Sequence, residues 1–281
     1  MGRVTARRPV LRINLDGQDR RRADTVASEE PLEIRLDGQA LTVTMRTPGH
    51  DLELTHGLLR AEGIISSAAD IVTAQYCAGS TTDVDGHEAN TYNLLDVSLR
   101  ETSAAVPVSA QRSLMMHSGC GVCGKTSIDA LEASLPTRNL PQESLTVAPA
   151  VIAALPDRLR EAQSVFARTG GTHAAGLFDL EGQALVVRED VGRHNAVDKV
   201  LGWAVMHDRP VHETILMVSS RASFEIVQKA AMNAIPVLAT VSAPSDLAVD
   251  TADRLGITLL GFVRGRSLNA YSHTHRLASS S

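Results

Sequence analysis

Thr214-Ile215-Leu216-Met217-Val218, Val237-Leu238-Ala239-Thr240-Val241 and Ile257-Thr258-Leu259-Leu260-Gly261-Phe262 are three short apolar runs. Amphipathic stretches at Ala222–Ala234 and Asp246–Leu255 separate them. Strands without polar alternation need cover on both faces, and intervening helices supply it. The reading is a parallel sheet layered between helices. Upstream, a helix is expected at Asn195–His207, preceded by strands at His173–Asp179 and Ala184–Arg188 around an Glu181-Gly182 turn. Two further helices, Ala150–Leu155 and Asp157–Arg168, are expected on either side of Pro156, which has no N–H to donate inside a helix. Residues 143–276 thus read as one α/β domain.

The first half has another texture. Leu32, Ile34 and Leu36 alternate, Asp37-Gly38 is a hairpin signal, and Ala40–Met45 returns as the partner strand. Asp51–Leu59 carries apolar positions at helical spacing, and Ile71–Tyr76 and Thr91–Leu99 read as more strands. Residues 29–142 are therefore a mixed α+β domain that ends in a Pro-rich linker, Leu135–Gln142. The Arg- and Asp-rich residues 1–28 are expected to be a flexible N-terminus, and 277–281 a disordered tail.

At 281 residues the chain has ample material for a core. A net charge of −5 and 3% aromatic residues argue against a nucleic-acid-binding surface. Three cysteines do not make a disulfide framework. The basic start, Met1–Pro9, lacks the apolar core of a secretory signal, and no apolar run reaches membrane-spanning length. The expected compartment is the cytoplasm.

Two of the cysteines share one segment: His117-Ser118-Gly119-Cys120-Gly121-Val122-Cys123-Gly124-Lys125-Thr126. Three glycines keep bulk away from the sulfurs, and a mobile, accessible loop is expected. A short helix over Thr126–Leu135 would aim free N–H groups at the thiols, and Lys125 and protonated His117 add positive charge. All three favour thiolate, the nucleophilic form. A zinc half-site would need two more ligands, for which only Cys77 and scattered histidines are available. A thioredoxin-like pair should follow a core strand, and Ser113–Met116 is a weak one. Gly119 to Thr126 also matches a phosphate-loop pattern formally, but no apolar run ending in Asp follows to hold magnesium.

In open α/β sheets, ligands bind outside the carboxyl ends of the strands. Three loops there supply arginines with small residues: Glu189–Asn195 with Arg193, Ser219–Arg221 with Arg221, and Gly261–Ser267 with Arg264 and Arg266. Guanidinium forks and helix-terminal N–H groups suit phosphate oxygens, so an anionic ligand is expected.

Together, Gly119–Gly124, Gly171–Ala175, Asp190–Lys199, Ser219–Arg221 and the Phe262–Asn269 loop resemble the formate dehydrogenase accessory (FdhD) family from about residue 30 onward. The resemblance implies a sulfurtransferase. Such a protein takes sulfur from a cysteine desulfurase as a cysteine persulfide and passes it to the molybdenum or tungsten bis-guanine-dinucleotide cofactor of formate dehydrogenase. That cofactor is a client, and no permanently bound group or metal is implied. The persulfide-bearing position corresponds to Cys120, with Cys123 beside it. Phe262, Val263, Arg264, Gly265, Arg266 and Ser267 correspond to the cofactor-binding segment. A homodimer is also implied, as is a three-layer, cytidine-deaminase-like C-terminal domain. That domain would lack the deaminase zinc site, since no cysteine lies beyond Cys123. A binding-only chaperone with a structural or metal-bound Cys pair is the alternative.

Overall fold

The computed structural model describes residues 4–77, 80–82, 88–90, 92–100 and 145–278. The Cys120/Cys123 loop, the helix expected after it and the linker lie outside the described residues.

The chain opens with a hairpin where a flexible terminus is expected. β1 (Thr5–Arg12) and β2 (Arg20–Ala27) pair antiparallel, from Thr5 opposite Ala27 to Arg12 opposite Arg20. Neither strand has a buried residue, so backbone hydrogen bonding holds the pair and leaves no apolar alternation to read.

β3 (Glu30–Leu36) and β4 (Gln39–Arg46) follow as expected. Asp37 and Gly38 both have positive φ, 48° and 79°, the backbone of a tight primed turn. α1 (Asp51–Ala61) then lies across this sheet, which β5 (Ile71–Tyr76) and later β8 (Leu94–Leu99) complete in the order β4-β3-β8-β5. Between them β6 (Ser80–Thr82) and β7 (Glu88–Asn90) form a separate short pair. Leu32, Ile34, Leu95 and Val97 bury against Leu54, Leu58 and Leu59 of α1.

The second half begins with α2 (Pro149–Ala162) and α3 (Ser164–Thr169). Helix α2 runs through Pro156 rather than breaking there. Burial of Ile152, Leu155 and Leu159 on one face keeps it docked despite the missing donor. β9 (His173–Phe178), β10 (Ala184–Asp190), α4 (Arg193–Met206), β11 (Ile215–Val218), α5 (Phe224–Met232), β12 (Val237–Thr240), α6 (Asp246–Arg254), β13 (Thr258–Arg264) and β14 (Ser267–Ala270) complete the order. The sheet runs β10-β9-β11-β12-β13-β14.

The sheet is mixed, not wholly parallel. Only β11, β12 and β13 are parallel to one another; β9–β10 and β13–β14 are antiparallel hairpins. The connections at 179–183 and 265–266 are far too short for a crossover. Ala175, Leu177, Leu216, Val218 and Leu238 face α4, α5 and α6. On the other side Ala174, Phe178, Ile215, Met217 and Val237 face α2. At the end of the chain, Leu277 bridges to Val147, and the Ala278 N–H donates to the Val147 carbonyl, so the expected tail is paired at least that far.

The two halves meet where α1 crosses α4. A Cβ on Gly57 would overlap the Asp198 carbonyl, and one on Gly202 the Glu53 carbonyl. The helices approach backbone to backbone, which no larger residue permits. Glu53 also receives Arg188 of β10 at 2.6 and 2.7 Å.

Candidate functional site

All three arginine loops lie along one edge of the six-stranded sheet. β11, β12 and β13 end there, β9 and β14 start there, and β10 arrives antiparallel to β9. Backbone contacts make the rim continuous. Ser219 and Ala174 exchange hydrogen bonds at 2.9 Å, the Ser219 N–H to the carbonyl and the Ala174 N–H to the Ser219 Oγ. Val241 N–H donates to the Val218 carbonyl at 3.2 Å, Phe262 N–H to the Ser242 carbonyl at 3.2 Å, and a bridge joins Ala222 to Pro244. From β10 to β13 the rim crosses four strand spacings, about 19 Å at ~4.8 Å each. That is room for an extended ligand.

The stretch Asp190–Lys199 divides between two roles. The Asp190 carboxylate is fully buried and pairs with Lys199 Nζ at 2.7 Å. It also accepts from the N–H groups of Thr47 (3.1 Å) and Gly192 (2.8 Å) and from Asn195 Nδ2 (3.2 Å). Lys199 donates to the Thr47 carbonyl at 2.8 Å, and Asn195 to the Met45 carbonyl at 2.7 Å. Asp198 receives Lys229 at 2.7 and 3.0 Å. Asp190, Asn195 and Lys199 therefore join the two halves. Gly192, Arg193 and His194 remain partly exposed at the rim.

Two helices begin at this point. α4 starts after Gly192 and α5 after Ser223, neither with a side-chain cap to the helix N–H groups. His194 Nε2 stands 3.4 Å from Ser223 Oγ and 3.9 Å from Glu225, so the two positive helix ends adjoin. Arg193 Nε is buried and makes no hydrogen bond among the described residues. A charged donor without a protein acceptor fits an anionic oxygen. Burial, and then the Arg193 charge, push the His173 imidazole below its ordinary pKa, against an opposing pull from Asp190. Burial raises the Glu225 carboxyl, but hydrogen bonds from Ser223 and its own N–H, with the charges of His194 and Arg193, outweigh it and hold the group low. The two helix ends thus gather the Arg193 guanidinium, the His194 imidazole and the Glu225 carboxylate, with His173 beside Arg193.

The other candidates sit farther along the rim. Arg221 is exposed in the loop after β11. Phe262 adopts φ 52° and is 37% exposed, and Arg264, Gly265, Arg266 and Ser267 are exposed at the β13–β14 turn. Val263 is different, because its side chain is fully buried in the cluster that packs on α2 and has no surface for a ligand. Cys120 and Cys123 lie outside the described residues. Among the described residues no group of three His, Cys, Asp or Glu side chains is placed to hold a metal ion. His173, His194, Ser223 and Glu225 are not singled out by sequence reasoning. His173 falls inside the Gly171–Ala175 motif and His194 inside Asp190–Lys199, whereas Ser223 and Glu225 lie in no motif.

The arrangement defines a class: an open α/β sheet with polar loops gathered along one strand edge, joined to a smaller α+β sheet. The chain belongs to the FdhD/NarQ family, whose pattern it matches over residues 27–278. It is 57% identical over 280 residues to the sulfur carrier protein FdhD of Nocardia farcinica, covering 99% of this chain and 96% of that one. Identity to the protein of the same name from Mycobacterium tuberculosis is 51% over 279 residues, covering 99% and 100%. In fold it is similar to the crystal structure of a protein from Desulfotalea psychrophila assigned as a formate dehydrogenase accessory protein. The TM-score is 0.75 at 23% identity, over 98% of this chain and 100% of that one. No helix among the described residues is long and apolar enough to cross a membrane.

Proposed function

We propose that this protein carries sulfur as a persulfide on Cys120, from a cysteine desulfurase to the molybdenum or tungsten bis-guanine-dinucleotide cofactor that formate dehydrogenase needs. The observation that carries the reading is the name sulfur carrier protein FdhD on relatives 50–57% identical over nearly the whole chain. The protein works in the cytoplasm, where its thiols stay reduced. Its C-terminal unit is a deaminase-like layering used without zinc chemistry, in keeping with the lack of cysteine beyond residue 123.

The loading step is a thiol exchange. The Cys120 thiolate attacks the terminal sulfur of the donor persulfide, a new S–S bond forms as the donor's breaks, and the donor cysteine leaves as thiolate. No outside oxidant or reductant is needed. Cys123 follows with two residues between, and its thiol resolves a stalled persulfide by attack on the Cys120 sulfur, expelling hydrosulfide and leaving a disulfide. The rim holds the anionic client: Arg193 and the adjoining helix ends take one phosphate region, and Arg221, Arg264 and Arg266 extend the positive track toward Phe262 and Ser267.

The test is transfer of radiolabelled sulfur. Incubation with a cysteine desulfurase and labelled cysteine should label the protein in a form that a thiol reductant removes, and formate dehydrogenase activation should consume the label. A protein that activates the enzyme without ever carrying label is a binding-only chaperone.

A further inference from the structure

We propose that the β1–β2 hairpin is an arm that docks on the acidic face of α6 in a second copy of this chain. The contact rests on two copies associating and does not depend on the sulfur chemistry.

Charge is the first observation. Residues 1–28 hold seven arginines and three aspartates, a net +4, and the chain total of −5 leaves −9 for residues 29–281. The hairpin places four of these arginines, with Asp24, on one face and leaves Arg7 and Arg21 on the other. Arg12 lies directly opposite Arg20, and Val10–Arg22 and Arg8–Asp24 are the next pairs on that same face. Arg8, Arg12, Arg20 and Arg22 are all exposed, and Arg22 to Asp24, at 3.4 Å, is the one ion pair these four make among the described residues. Arg12 and Arg20 are like charges directly opposite one another, which disfavours the strand pair, and acidic groups covering this end of the face would relieve that repulsion.

The body offers a matching stripe. Asp246, Asp250 and Asp253 recur on one face of α6, and all three are exposed. Among the described residues His273 lies 3.8 Å from Asp253, and Arg254 follows Asp250 by one turn of the same helix. Successive carboxylates on such a helix stand about 5–6 Å apart, and successive arginine positions on the arm about 7 Å. The strands extend about 27 Å, enough to reach across a subunit boundary. Exchange of two arms is self-complementary and closes a dimer.

Other occupants fit less well. The hairpin tip carries Asp16 and Asp19, which oppose phosphate-rich surfaces, and its exposed apolar residues are Leu11, Ile13 and Leu15 rather than base-stacking aromatics. The family pattern begins at residue 27, although the relatives from Nocardia farcinica and Mycobacterium tuberculosis align over 99% of the chain, which takes in the arm.

Sedimentation of the full-length chain tests this. At low salt the wild-type protein should be a dimer. Arg12→Glu with Arg20→Glu should weaken association at least tenfold, and Asp250→Arg with Asp253→Arg should do the same. Combining all four substitutions should restore the dimer, an outcome a misfolded arm would not give. A monomeric wild type, reversals that leave association unchanged, or a four-site variant that stays monomeric would each overturn the proposal. Binding of the monomer to polyglutamate or to anionic vesicles would then assign the arm to another partner. Sulfur loading of the same variants is read separately and stays intact if only the docking idea fails.

Discussion

Lys199 Nζ lies 2.7 Å from the Asp190 carboxylate, and neither side chain is more than 1% exposed. Thr47, from the other half of the chain, completes the pair by donating its N–H to Asp190 and accepting from Lys199. The turn that presents Arg193 is therefore held by both halves at once. Lys199→Met should lose about 3–5 kcal/mol in urea unfolding, because it strands a buried carboxylate. Lys199→Met combined with Asp190→Asn should be more stable than Lys199→Met alone, and strict additivity of the two losses would show that the pair is not coupled.

Acid stability should report Glu53. Burial raises its carboxyl, but hydrogen bonds and charge from Arg188 and His50 outweigh that and lower it to about 2. The folded pKa lies below the ordinary 4.5, so the unfolded chain binds the proton first. The stabilisation is complete above pH ~4.5 and is lost as pH falls toward 2, on the order of 2 kcal/mol after allowance for solvent screening. Arg188→Ala should flatten this part of the stability profile. An unchanged profile would mean that the contact between α1 and β10 is not held by this ion pair.

The rim should bind guanine nucleotides. Arg193→Met should weaken guanosine diphosphate binding by about 1.5–3 kcal/mol in calorimetry, since its Nε is buried. Arg264→Ala with Arg266→Ala should cost less, because both side chains are exposed. Equal affinity in all these variants would move the ligand off this edge.

Much of the C-terminal half is legible because its strands are continuous apolar runs and its helices alternate with them. The runs at 214–218 and 237–241 emerge as β11 and β12 within one residue of expectation. Pairing direction is less legible, and the edge hairpins show why: only the brevity of residues 179–183 and 265–266 betrays antiparallel neighbours. The hairpin at 5–27 escapes because its residues are polar on both faces. Within Asp190–Lys199, sequence shows a dense polar motif but not its division of labour. Asp190 and Asn195 bond to Thr47 and Met45, more than 140 positions away, and no local pattern encodes such partners. Val263 illustrates the converse, an apolar residue inside an exposed segment that points into the core.

Sulfur loading resolved by residue tests the central claim most directly. Wild type, Cys120→Ala and Cys123→Ala would each be incubated with a cysteine desulfurase and cysteine, then digested and weighed by mass spectrometry. The account expects one added sulfur on the Cys120 peptide of the wild type, none in Cys120→Ala, and partial loading in Cys123→Ala. Equal loading of wild type and Cys120→Ala would contradict it.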